Sequence, residues 1–213
     1  IASELAASDK GNKEYLVLVT GTRLRLGDLL MQQADRKGAL AEYQISRDTA
    51  YLLSSSDPSV YGWRQGFAIA HQRIGDLYLQ DGDPAAALRG FTQYVDLTLE
   101  TLQRLPKSNN AFFDVANARQ KVGDALREAG RLEEALGAYR EALALTVDLD
   151  TRPVKNSRWR KSMANNFQRI GLTLELMGDI PSALAAYQAC FAIPVDKSAW
   201  SPRERWPVDV NDD

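Results

Sequence analysis

The fold of this chain is decided by residues 72–91, which read QRIGDLYLQDGDPAAALRGF. Apolar residues recur at helical spacing on both sides of a turn, and they are Ile74, Leu77 and Tyr78 before it and Ala87, Leu88 and Phe91 after it. In the turn, Gly82 can end one helix in the left-handed region, Asp83 can cap the next helix, and Pro84 suits its first turn. The stretch therefore predicts a hairpin of two amphipathic helices.

The same pattern occurs four times along the chain. The other three copies read LRLGDLLMQQADRKGALAEY from residue 24, QKVGDALREAGRLEEALGAY from residue 120 and QRIGLTLELMGDIPSALAAY from residue 168. Three columns recur at intervals of 48 residues: Gly27, Gly75, Gly123 and Gly171; Ala39, Ala87, Ala135 and Ala183; and Tyr43, Phe91, Tyr139 and Tyr187. Columns held in register over four copies predict a stack of helix-hairpin repeats. Because no segment alternates with a period of two, we predict no sheet.

These columns resemble the tetratricopeptide repeat family. The family pattern places an apolar residue before a glycine in the first helix and an alanine four residues before an aromatic residue in the second. The resemblance covers about residues 12–193 and implies an all-α fold, an α-solenoid in which antiparallel helix hairpins form a right-handed superhelix. The spacing of 48 residues exceeds the family's roughly 34. We therefore identify an extended variant in which both helices of the repeat are longer.

The register also predicts the organisation of the chain. Residues 1–8 align with residues 49–56, the end of a second helix, so we interpret them as the remnant of an upstream repeat and the chain as a fragment of a larger protein. The predicted divisions are 1–8 for this remnant, 9–57, 58–105, 106–153 and 154–195 for repeats 1 to 4, and 196–213 for a C-terminal cap or tail.

Composition narrows the classes of function. The net charge is −2, which argues against nucleic-acid binding, and no apolar run reaches the ~20 residues needed to cross a bilayer. Cys190 and His71 are the single residues of their types, so we predict no disulfide framework and no metal site. No catalytic constellation and no cofactor-binding motif is present in the sequence, and we expect a cytoplasmic protein without catalytic residues or cofactors.

A polar column beside the repeat glycines supplies the candidate site. The resemblance implies that first helices line the concave surface, where a peptide would bind. The predicted binding residues are Arg25, Gln72, Arg73, Asn117, Gln120, Lys121, Asn165, Gln168 and Arg169. Aspartates follow three of the glycines directly, at Asp28, Asp76 and Asp124. The alternative for the charged residues is therefore a structural ladder between stacked helices.

Two repeated tryptophan–arginine pairs, Trp63-Arg64 and Trp159-Arg160, are a second candidate. Repetition in register favours packing between repeats over exposed binding anchors, which tryptophan and arginine also supply.

Taken with the resemblance, these features predict a protein–protein interaction scaffold or adaptor that binds a peptide or partner protein on its concave face. The alternative is a regulatory or oligomerisation arm of a larger multidomain enzyme or signalling ATPase whose catalytic domain lies outside this sequence. Homo-oligomerisation stays open in either case.

Overall fold

The structure is a computed structural model that describes residues 13–154 and 156–193, and every element in these residues is an α-helix. The helices are α1 (Lys13–Gln32), α2 (Arg36–Ser56), α3 (Tyr61–Gln80), α4 (Pro84–Arg104), α5 (Asn109–Glu128), α6 (Leu132–Thr151), α7 (Ser157–Leu176) and α8 (Ile180–Phe191). The predicted remnant at 1–8 and the predicted tail at 196–213 lie outside the described residues.

The helices pack in chain order. Each one contacts the next along its length, both within a hairpin and between hairpins, and the short connections make neighbours antiparallel. The first helices of consecutive repeats (α1, α3, α5 and α7) also contact one another directly. The predicted α-solenoid of antiparallel helix hairpins is therefore confirmed.

The helices are long. From α1 to α7 each has 20 or 21 residues, and α8 has 12. At 1.5 Å per residue a helix of this size extends about 30 Å. The interval of 48 residues is consequently filled mostly by helix, with three to five residues at each connection.

The turns inside the hairpins share one geometry. Gly82, Gly130 and Gly178 have φ of 75°, 73° and 81°, as the sequence predicts for a residue that ends a helix in the left-handed region. In repeat 1 the same place is taken by Ala34, with φ of 61°. The Asp83 carboxylate accepts a hydrogen bond of 2.8 Å from the amide of Ala86 and caps α4.

Each repeat glycine lies where its helix crosses the aromatic residue of its own hairpin. A Cβ added to Gly123 would lie 2.5 Å from Cε1 of Tyr139, and the other three glycines face Tyr43, Phe91 and Tyr187 in the same way. The alanine column is 0–3% exposed. Small residues at these two columns let the paired helices approach until the aromatic ring fills the space between them.

The tryptophans of the two tryptophan–arginine pairs differ in burial. Trp159 is 2% exposed and packs with Phe113 and Leu149 of the preceding repeat, as predicted. Trp63 is half-buried, and the Lys13 ammonium lies 5.2 Å from its ring centre. Cys190 is buried, and its thiol donates to the carbonyl of Ala164 at 3.3 Å.

Candidate functional site

The nine predicted binding residues all lie on first helices. Arg25 is on α1, Gln72 and Arg73 on α3, and the others occupy the same register on α5 and α7: Asn117, Gln120 and Lys121, then Asn165, Gln168 and Arg169. Arg25 is exposed and the other eight are half-buried. We call this set the polar face.

Three cations of the polar face pair with aspartates of the preceding repeat. Arg73 Nε lies 2.9 Å from Asp28 Oδ1, and Lys121 Nζ donates to Asp76 Oδ1 at 2.7 Å. At the junction between repeats 3 and 4, Arg169 Nε donates to Asp124 Oδ1 at 2.7 Å and Nη2 donates to Oδ2 at 3.3 Å. The cations thus form a ladder of ion pairs that ties each repeat to the one before it.

The aspartates of this ladder also accept hydrogen bonds from within their own repeats. The hydroxyl of Tyr43 donates to Asp28 at 2.8 Å, and that of Tyr139 donates to Asp124 at 2.8 Å. Burial, followed by the neighbouring aspartate, raises the pKa of both phenols above the ordinary value, so both tyrosines stay protonated donors at neutral pH.

Repeats 2 and 4 depart from this arrangement. Phe91 replaces the tyrosine in repeat 2, and Asp76 instead has Arg73 of its own helix at 3.9 Å. In repeat 4 Leu172 replaces the aspartate, and Tyr187 donates to Glu175 at 2.9 Å. Burial, together with this bond, raises the pKa of Tyr187 to about 12.

The ladder neutralises most of the charge on the polar face. The ion-paired side chains of Arg73, Lys121 and Arg169 are 36%, 25% and 25% exposed, and their aspartates hold them against the helix surface. These contacts match the ladder interpretation for the three cations. Arg25 makes no ion pair with any other residue of the described ranges and remains the exposed cation at the head of the column.

The amides of the polar face behave differently. The set consists of Gln72, Asn117, Gln120, Asn165 and Gln168, and these side chains make no hydrogen bond to another residue that the structure describes. An amide carries two N–H donors and a carbonyl acceptor, which suits it to the alternating groups of a peptide backbone. The face therefore combines neutralised charges with amides that have no partner among the described residues.

The hydrogen bonds between the tyrosines and the aspartates were not predicted from the sequence. Their signal lies in the sequence, since Tyr43 follows Asp28 and Tyr139 follows Asp124 by the same 15 residues. The aspartate and its cation are also separated by a constant number of residues along the chain. The separation is 45 residues both between repeats 2 and 3 and between repeats 3 and 4. The cation that pairs with each aspartate is therefore nearly one repeat away in the sequence. The rules for pairs on a helix surface consider only residues three or four apart, so they do not find it.

The described residues offer neither a metal-ion site nor a membrane-spanning helix. Within 13–154 and 156–193 there is no group of three or more His, Cys, Asp and Glu side chains placed to hold a metal ion. In the same ranges no helix combines the length and apolarity that crossing a bilayer requires.

No protein-family model matches the chain, and no curated protein sequence matches it. Among solved structures, it is similar to the Rap conjugation gene regulator of plasmid pLS20, solved in complex with the Phr* peptide, with a TM-score of 0.58 and 21% identity over 79% of this chain. The chain spans 40% of that regulator's length.

Two further structures are similar. MamA matches over 89% of this chain and 82% of its own length, with a TM-score of 0.52 and 17% identity. BtubC from P. vanneervenii matches over 100% of this chain and 92% of its own, with a TM-score of 0.50 and 15% identity. At these identities the likenesses establish the fold alone, a stack of helix hairpins.

Proposed function

We propose that this chain is a protein-interaction module whose polar face binds an extended segment of a partner protein. The observation that carries the proposal is the row of amides on α3, α5 and α7 without partners among the described residues. Polar side chains that repeat on successive helices offer hydrogen bonds at regular intervals. An extended backbone presents its own donors and acceptors at regular intervals and is the ligand that such a row fits.

The packing of the helices supports the placement of this site. The first helices of consecutive repeats contact each other directly, whereas second helices meet only marginally in the described residues. In a curved stack, the elements that approach most closely lie on the inner side. We therefore infer that the polar face lies on the concave surface, which can surround a bound segment.

The ladder specifies what this surface would recognise. Because Asp28, Asp76 and Asp124 occupy the cations, binding relies on amide hydrogen bonds more than on attraction for an acidic ligand. We expect affinity to change little with salt, since neutral hydrogen bonds are not screened as exposed charges are. The Rap regulator, with a similar fold, was solved with a peptide, which is consistent with a peptide ligand here.

A displayed library of random peptides tests the proposal. Peptides enriched on the native chain are synthesised, and their Kd values are measured by fluorescence anisotropy at low and high salt. The test variant combines Asn117→Ala, Gln120→Ala, Asn165→Ala and Gln168→Ala. We expect Kd to rise by at least about tenfold, because each lost hydrogen bond contributes about 0.5–1.5 kcal/mol.

A matched control removes exposed amides from second helices, with Gln93→Ala, Gln103→Ala and Gln188→Ala. This control should bind as the native chain does, and both variants should keep the native helical circular dichroism. Equal affinity of the test variant and the native chain, or the absence of any enriched peptide, would refute the assignment.

A further inference from the structure

A second feature with the character of a binding site lies apart from the polar face. It is a half-open cleft of about 230 Å³ between α2, α3 and α4, at the junction of repeats 1 and 2. None of the nine polar-face residues lines it. Inferences from the cleft are thus independent of the proposed function.

One wall of the cleft is apolar. Tyr51 of α2 and Phe67 of α3 form a tilted ring pair with centroids 5.6 Å apart, and Leu97 of α4 completes the wall. Tyr51 is 55% exposed, so part of this apolar surface faces solvent. Such a wall favours a hydrocarbon body by removing its surface from water.

The opposite side of the cleft is charged, with one buried cation. Arg64 is 7% exposed, and its Nε donates to Thr101 Oγ1 at 3.0 Å. Its Nη2 lies 3.0 Å from Glu100 Oε2 in an ion pair. Arg104 Nη2 contacts the other oxygen of Glu100 at 3.2 Å.

Two cations consequently share a single carboxylate. The pKa of Glu100 lies below its ordinary value, chiefly because of Arg64 and then because of Arg104, so the carboxylate is ionised at neutral pH. The charged residues that line the cleft are thus two guanidiniums and one carboxylate. A ligand carboxylate that displaces Glu100 would pair with both guanidiniums.

The next junction of the same chain provides an internal comparison. At the register of Arg64 it has Phe112, and Arg152 lies over that ring with its guanidinium carbon 4.1 Å from the centroid. Asp148 pairs with Arg152 at 2.6 Å, as Glu100 pairs with Arg104 in the first junction. Stacking of repeats therefore does not require a buried guanidinium at this position.

We propose that the cleft binds a small organic carboxylate with an apolar body. The carboxylate is received by Arg64 and Arg104 in place of Glu100, and the body lies on Phe67, Tyr51 and Leu97. The volume of the cleft limits the size of the ligand. Ordinary ligand pockets begin at about 300 Å³, and this cleft falls just below that range. A single ring or a short branched chain fills it.

The probe is 3-phenylpropanoate, measured by titration against the whole chain with proton–nitrogen correlation spectra, and 3-phenylpropanamide is the uncharged control. We expect saturable binding of the acid in the millimolar range and at least about tenfold weaker binding of the amide. Shifted signals should come from the residues that line the cleft.

Variants separate a ligand site from a structural ion pair. Glu100→Gln should tighten binding of the acid several-fold, because it removes the competing carboxylate and leaves both arginines in place. Arg64→Gln should weaken it at least about tenfold. Should Arg64→Gln fail to fold, Arg104→Gln at the exposed end of the cleft supplies the same measurement. Arg152→Gln, the equivalent change in the next junction, should leave the affinity unchanged.

Three outcomes would overturn the proposal. The first is no saturation by the acid, in either the native chain or the Glu100→Gln variant, up to about 20 mM. The second is equal binding of acid and amide. The third is an affinity that Arg64→Gln and Arg104→Gln both leave unaltered, which would place the ligand elsewhere.

Discussion

Asp124 accepts hydrogen bonds from two repeats at once, from Tyr139 in its own hairpin and from Arg169 in the next. Its side chain is 10% exposed, so both contacts form where water competes weakly. The same carboxylate thereby fixes the aromatic ring that fills the helix crossing and holds the following repeat. One side chain contributes both to the hairpin and to its stacking.

The phenylalanine of repeat 2 gives a test at this scale. Phe91 is 0% exposed and packs on Gly75 as Tyr43 packs on Gly27, while Asp76 lies one residue beyond that glycine. We expect Phe91→Tyr to donate to Asp76 and to raise the free energy of unfolding by about 1 kcal/mol. Urea denaturation should move to a higher midpoint with an unchanged m value.

The reverse change serves as its control. Tyr139→Phe should lower the free energy of unfolding by a similar amount, because Asp124 then keeps only Arg169. If Phe91→Tyr destabilises the chain instead, the added hydroxyl does not reach Asp76, and the four hairpins are less alike than their register indicates.

At the scale of the helix, the turns follow from local chemistry with one departure. Asp35 N donates to Leu30 O at 2.9 Å, and Asp83 N donates to Tyr78 O at 2.9 Å, so the first turn has the geometry of the second. Ala34 nevertheless takes a positive φ without the freedom of glycine. A left-handed conformation costs an ordinary residue about 1–2 kcal/mol.

Ala34→Gly should therefore stabilise the chain. We expect the free energy of unfolding to rise by about 1 kcal/mol. The relief of backbone strain stabilises the folded state, and the greater entropy of glycine in the unfolded state offsets part of that gain. The matched control is Ala129→Gly, one residue before Gly130, where φ is −79° and glycine offers no relief. Thermal unfolding followed by circular dichroism should show opposite shifts in Tm for the two variants, and a lower Tm for Ala34→Gly would contradict the argument.

At the scale of the whole molecule, stability is divided among neighbouring repeats. In such an array each unit contacts only the adjacent ones, and the stability is close to a sum of repeat terms and interface terms. The ladder supplies one ion pair to each interface that the structure describes. Weakening one interface should consequently loosen the repeat beyond it before the others unfold.

Arg169→Met tests this division. It removes the contacts of Arg169 with Asp124, so we expect amide hydrogen exchange to accelerate in α7 and α8 and to change little in α1 to α4. Arg140→Met, at an exposed site on α6, is the control and should leave every helix as protected as before. Uniform acceleration along the whole chain would show that the repeats unfold as one unit.

Sequence reasoning reached the fold because its signals are periodic. Gly82 and Asp83 carry local turn chemistry, and Gly75 recurs in register, so the hairpin and its repetition follow from the residues alone. The ladder is one of two interpretations that the sequence leaves open, because the partner of Arg73 could be Asp76 on its own helix or an aspartate on a neighbouring helix. Only the packing of α1 against α3 distinguishes the two, and it places Asp28 nearer.

The cleft could not be predicted from the sequence. The sequence marks Arg64 only as a member of a repeated tryptophan–arginine pair, and its burial depends on Glu100 and Thr101, which come from the following helix. The same register in later repeats is occupied by Phe112 and Arg160, which have different surroundings. No repeated column of the sequence therefore indicates a cleft at this position. Binding by the polar face stays a prediction that the peptide library addresses.

The constant interval of the ladder has a consequence for how such a gene can change. Lys121 reaches Asp76 and Arg169 reaches Asp124 across the same 45 residues. In-frame recombination that deletes or duplicates one of repeats 1 to 3, each of which carries both an aspartate and a cation, would therefore bring the two together at the same interval as before. Descendants of this chain could differ in reach by whole repeats while every junction kept its ion pair.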